Sequence, residues 1–154
     1  MDAKPRHRRP GPRSLWQQHS LSLVTAAILI SWIVLYSLSS PATHLGSFFG
    51  NAIADWTGTL VMILATKYLY EKGSAESRRP KPREMPPLEN WLREHSLSLF
   101  LLFTGIAWVA VYMHMNSEAR WGQVVGNIVS EWTQIFGVLF MTKKLRELHS
   151  KESA

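Results

Sequence analysis

The sequence predicts an all-α protein, a polytopic membrane four-helix bundle made of two parallel two-helix repeats. Three observations predict it. Four apolar blocks, each long enough to cross a bilayer, alternate with polar and basic segments along 154 residues. The second half of the chain repeats the first. The Lys and Arg residues collect on one side of the threading those blocks require.

Composition sets the outer limits. Hydrophobic residues make up 46% of the chain and are concentrated in the blocks. There is no cysteine, which excludes disulfides, thiolate metal sites and a cysteine nucleophile. The formal charge is +6, but the basic residues flank the apolar blocks instead of covering a soluble surface. The charge therefore reads as topology, and no nucleic-acid partner is expected.

The repeat has an offset of 76 residues. Residues 15–77 overlay 91–153 without a gap, and 20 of the 63 pairs are identical. His19 to Leu23 (His-Ser-Leu-Ser-Leu) matches His95 to Leu99. Trp32 and Tyr36 match Trp108 and Tyr112, and Thr66-Lys67 matches Thr142-Lys143. Gly46, Gly50, Asn51, Trp56 and Thr57 match Gly122, Gly126, Asn127, Trp132 and Thr133. Shared apolar composition would not preserve polar residues and spacing together.

Taken in order, residues 1–13 form a basic, proline-rich N-tail expected to be disordered. Repeat 1 covers 14–72, a cytoplasmic linker 73–87, repeat 2 88–149 and a short tail 150–154. Ser14 and Gln17 have the spacing of a capping box, and Asn90 is the matching cap in the second copy. The first helix is predicted over 15–38. A signal peptide is disfavoured there, because the same apolar segment returns internally at 95–115. The second helix is predicted from Pro41 or Leu45 to Lys72, with Ser40 as cap and Gly73 as terminator. The third is predicted over 91–115 and the fourth over 121–148. About 20 residues at 1.5 Å each cross the hydrocarbon, so every block suffices. Sixteen of the seventeen Lys and Arg lie in the tails, the linker and the adjoining helix ends; Arg120 alone lies opposite. The positive-inside rule then puts both termini and the linker in the cytoplasm.

Helical projection sorts the second and fourth helices into faces. Phe49, Ile53, Trp56, Leu60, Ile63 and Leu64 fall on one side, as do Val125, Val129, Trp132, Phe136, Leu139 and Phe140; these are expected to face lipid. A buried polar centre is expected opposite, formed by Asn51, Asp55, Asn127, Glu131 and Gln134. Gly46, Gly50 and Ala54, with Gly122, Gly126 and Ser130, form small-residue ladders suited to close helix packing. An acid at mid-membrane costs roughly 2.5–3.5 kcal/mol on insertion scales, so it demands partners or a function. The acids read either as a cation or proton site or as interhelical hydrogen-bond glue. His19 and His95 read as interfacial polar residues, with a proton relay as the alternative. Trp16, Trp91, Trp121, Tyr68 and Tyr70 read as aromatic belt. Arg78, Arg79, Lys81 and Arg83, with the N-tail arginines, are expected to touch anionic lipid headgroups.

Three short stretches add a family resemblance. They are Glu94-His95-Ser96-Leu97-Ser98-Leu99 at a helix start, Asn127-x-x-Ser130-Glu131-x-x-Gln134 within a helix, and Glu71-Lys72-Gly73-Ser74-Ala75-Glu76-Ser77 after one. Together they resemble an uncharacterised family of small bacterial four-helix membrane proteins, a domain of unknown function. In the first copy Asp55 and Gly58 stand where the family pattern has Glu and Gln. The resemblance implies a bacterial inner-membrane protein and supplies no activity.

The resulting expectation is an integral membrane protein, small and transport- or channel-like, with Asp55 and Glu131 at its polar centre. The alternative is a scaffold or accessory subunit that associates through the Gly-x-x-x-Gly faces. No enzyme, cofactor or metal is expected, since no nucleophile motif, phosphate loop or ligand spacing occurs. The bilayer is the expected partner, and a homo-oligomer is left open.

Overall fold

The computed structural model describes residues 14–74, 77–81 and 83–144, the last by its backbone alone. The expected disordered N-tail, the final tail and the end of the fourth predicted helix lie outside the described residues. Within them the chain is helical, without strands: α1 Leu15–Leu38, α2 His44–Tyr68, α3 Pro87–Glu94, α4 Ser96–His114 and α5 Arg120–Lys144. Helices α1, α2, α4 and α5 are long and apolar enough to cross a membrane. Much apolar surface on the flanking helices stays exposed, with Leu21 64%, Ile30 61% and Phe103 67% accessible. Water would not tolerate such surface and lipid would, as expected of a multi-pass membrane protein.

Helix α1 starts at the predicted capping box. The Ser14 hydroxyl accepts from the Gln17 amide at 3.2 Å, and the Gln17 side chain accepts from the Ser14 amide. The cap of α2 is Thr43 and not Ser40. Thr43 Oγ1 accepts from the Gly46 amide at 3.1 Å and donates to the Ser40 carbonyl at 2.8 Å. Pro41 is thereby spent in the turn ahead of the helix.

The first glycine of each ladder makes these turns tight. A Cβ at Gly46 would collide with the Ser40 carbonyl, and one at Gly122 with the Asn116 carbonyl. One turn further, a Cβ at Gly50 would lie 3.2 Å from the Tyr36 ring and one at Gly126 3.0 Å from the Tyr112 ring. The ladders therefore face their own hairpins: α2 packs on α1, and α5 packs on α4.

The two hairpins meet along α2 and α5, which occupy the middle, while α1 and α4 flank them. One core cluster joins Tyr36, Ile53, Ala54, Val124, Ile128 and Trp132; a second joins Ala65, Leu97, Leu101 and Leu139. This corrects part of the expected lipid face. Ile53 (4%), Val125 (8%), Trp132 (4%) and Leu139 (0%) are buried in protein. Trp132 Nε1 also donates to Thr104 Oγ1 at 2.9 Å, giving its indole a partner inside α4.

The third predicted helix is two helices. α3 starts after Pro86 without a side-chain cap, and Asn90, the expected cap, lies inside it with its side-chain Nδ2 donating to Glu94 Oε1 at 3.2 Å. The break falls at His95 (φ −120, ψ 17). α2 also stops at Tyr68, short of the predicted Lys72. The freed residues 69–72 run out beside the break. The Leu97 amide donates to the Tyr70 carbonyl at 3.1 Å, the Lys72 amide to the Glu94 carbonyl at 2.8 Å, and the Tyr70 amide to Ser96 Oγ at 2.9 Å. Each segment satisfies backbone groups the other exposes by leaving its helix. Gly73, at φ +84, then makes the turn into the linker.

Candidate functional site: a polar seam and a charged clasp

Where α2 crosses α5, Asn127 Nδ2 donates to Asn51 Oδ1 at 2.6 Å. These two residues are equivalent under the 76-residue offset, so the contact joins like to like. One helical turn on stand Asp55 and Glu131, near the middle of helices that are each 25 residues long. At 1.5 Å per residue the acids lie about 16–20 Å from either helix end.

Gly58 shapes this seam. A Cβ there would come within 2.7 Å of Glu131 Cγ and 2.9 Å of Ile135 Cδ1, so its absence lets the Glu131 side chain lie across α2. Beside it runs an open groove of about 380 Å³, lined in part by Gly58, Thr59, Met62, Glu131 and Gln134.

The burial expected of this centre is not met. Asn51, Asp55 and Gln134 are exposed, while Asn127 and Glu131 are half-buried. Helical periodicity groups residues on a face but does not choose the face that receives a neighbour. α1 and α4 cover the Ile53 and Trp132 sides, which leaves the polar seam open. Of the ladder residues, Gly46, Gly50, Ala54 and Gly122 are buried, Gly126 is half-buried and Ser130 is exposed.

A second cluster lies at the basic end of the helices, built on a residue that sequence reasoning assigned no role. The Glu71 side chain has no exposed surface. Its Oε1 accepts from His95 Nδ1 at 2.8 Å and pairs with Lys143, and its Oε2 accepts from the Ser98 amide at 3.0 Å. Ser98 lies in the first turn of α4, which lacks a side-chain cap of its own, so Glu71 supplies the missing acceptor from 27 residues away. Burial pushes the Glu71 carboxyl up, but Lys143, Ser98 and His95 outweigh it and hold the group below its ordinary value. Exposed Lys72 similarly holds the half-buried Glu94 carboxyl down across a 2.9 Å ion pair.

His95 thus serves a linker carboxylate at a helix end, remote along the helices from the mid-span acids. A signal for this cluster existed: Lys67/Lys143, His19/His95 and Glu71/Glu147 are identical pairs under the offset. At the opposite end, Arg120 donates to the Ser37 carbonyl at 3.1 Å and to the Ser39 carbonyl, and its own carbonyl accepts from the Tyr36 hydroxyl at 2.7 Å. The lone cation on that side therefore caps the C-terminus of α1.

Among the described residues no three His, Asp or Glu side chains stand close enough together to hold a metal ion. Four helices long and apolar enough to cross a membrane fit the class of helical, multi-pass membrane proteins. Comparisons with family models, with curated proteins and with solved structures find no match.

Proposed function

We propose that this chain is a small transport- or channel-like membrane protein whose working groups are Asp55 and Glu131. One observation carries the reading: two acids at equivalent positions share an uncovered seam at the middle of the spanning helices. An intramembrane acid turned toward acyl chains is costly, and such groups ordinarily mark ion or proton pathways. The seam is open because α1 and α4 pack elsewhere, so a second copy of the chain covers it. The polar route then runs between two protomers, lined by acids from both.

In this reading the hairpins cross the membrane in parallel, about a pseudo-twofold axis through the Asn51–Asn127 bond. The basic ends lie in the cytoplasm of a bacterium, and the protein resides in its inner membrane, as the charge distribution and the family resemblance suggest. The protein is not an enzyme. Association through the glycine ladders is the weaker alternative, because Gly46, Gly50, Gly122 and Gly126 are occupied within their own hairpins.

The test is the paired substitution Asp55→Asn and Glu131→Gln, which keeps shape and hydrogen bonding but removes titration. Proton or cation flux into reconstituted vesicles should fall to background while the oligomer persists. Unchanged flux with an intact oligomer would end the transport reading.

A further inference from the structure

The clasp around Glu71 has a counterpart in the first hairpin, of which the described residues include the lysine and the histidine. Subtracting 76 from Lys143 and His95 gives Lys67 and His19. These two are also brought together: Lys67 Nζ lies 2.9 Å from His19 Nδ1 and donates to the Gln18 carbonyl at 3.0 Å. In the second hairpin a carboxylate sits between the lysine and the histidine; here they touch directly. Beside them opens a cavity of about 890 Å³, lined by His19, Ser22, Lys67, Arg78, Arg79 and Lys81 among others. No acidic side chain among the described residues lines it.

The donor sets of the two places differ for a structural reason. α4 begins at Ser96, so the Ser98 amide is available to the Glu71 carboxylate. α1 runs unbroken from Leu15, so the equivalent Ser22 amide lies inside a helix and is not offered. Arg78, Arg79 and Lys81 stand in its place. A helix start with two side chains suits one carboxylate. A wide cavity with four cations and a histidine suits a larger anion with several oxygens. Its position matches, at the end of the spanning helices and lined by exposed Tyr68 (71%), where aromatic rings mark the membrane interface.

We propose that this cavity binds the phosphate headgroup of an anionic membrane lipid, with Lys67, Arg78 and Arg79 on the phosphate oxygens. The inference shares the membrane setting of the proposed function but is independent of transport, because it is read by binding and not by flux. Full-length protein in neutral detergent is titrated with phosphatidylglycerol, phosphatidylcholine or inorganic phosphate, and bound lipid is counted by native mass spectrometry.

Phosphatidylglycerol should be retained in preference to phosphatidylcholine. Arg78→Gln with Arg79→Gln, both on the exposed linker, should weaken retention by on the order of tenfold, and Lys67→Gln should weaken it further. Arg6→Gln with Arg8→Gln, which removes equal charge from the N-tail, should change it less than about twofold. Equal losses in the two double variants would mean diffuse attraction and overturn the site. Equal competition by inorganic phosphate would overturn the lipid assignment. Retention appearing only after Glu147→Gln would show that the chain's own carboxylate occupies the cavity, and would also overturn it.

Discussion

Glu71 combines complete burial with a retained charge, and its surroundings explain how. A lysine, a histidine and a helix-start amide meet one carboxylate, which offsets its desolvation. Glu71→Gln should destabilise the protein by about 2–3 kcal/mol, less than for a fully enclosed pair because Lys143 and His95 still reach solvent. Melting followed by tryptophan fluorescence in detergent would measure this. The pH dependence has a definite sign. The folded carboxyl lies below its ordinary value of 4.5, so its contribution is present above that value and is lost as pH falls through the folded one. Glu71→Gln should remove this acid-side loss.

The glycines give a graded series at the same scale. Gly46→Ala and Gly122→Ala drive a methyl into a backbone carbonyl and should be the most damaging. Gly50→Ala and Gly126→Ala press on tyrosine rings that can shift slightly, and should cost about 1–3 kcal/mol. Gly137→Ala meets nothing within 4 Å and should be neutral or mildly stabilising. The same melting experiment ranks all five, and equal effects across the series would contradict the packing described.

Between elements, the α2–α5 crossing depends on both apolar and polar contacts. Leaving either Asn51 or Asn127 without its partner in a membrane costs less than in a dry core, because the side chain finds substitutes. A double-mutant cycle with Asn51→Leu and Asn127→Leu should give a coupling of about 0.6 kcal/mol. A coupling near zero would mean that the hydrogen bond is incidental and that Ile128, Ala54 and their neighbours hold the crossing alone. The break at His95 also belongs to this scale. The run from Trp91 to Met115 has no proline or internal signal strong enough to interrupt it before Gly105. The interruption comes from residues 69–72, whose backbone and Glu71 side chain take over the partners that α4 loses.

For the whole molecule, the consequence is an uncovered polar seam amid otherwise apolar surface. A second copy that covers the seam would bring Thr59, on the groove edge, close to its symmetry mate. The chain has no cysteine, so single probes can be introduced cleanly. Thr59→Cys should form a disulfide-linked dimer in membranes, and Ile106→Cys, 58% exposed on α4, should not. The reverse outcome would move the interface to the flanking helices.

Much of the architecture was legible from local order alone. The four long apolar helices and the Ser14 capping box depend on runs and spacings of neighbouring residues. The candidate site was half legible: Asp55 and Glu131 stood out as acids within apolar helices, and the helical period grouped them with Asn51 and Asn127. Their exposure was not legible, because α1 packs on Ile53 and Ala54 while α4 packs on Trp132 and Leu139, and helical period does not choose which face receives a neighbour.

The sequence by itself determined which segments are helical, which residues share a helix face and where the charge collects, since these follow from short-range spacing and side-chain chemistry. Only the tertiary structure decided which face of α2 and α5 is covered, where α3 gives way to α4 and what Glu71 holds. Each of those outcomes depends on a partner distant in the chain, and the energy of such a contact is not written in the spacing of either partner alone.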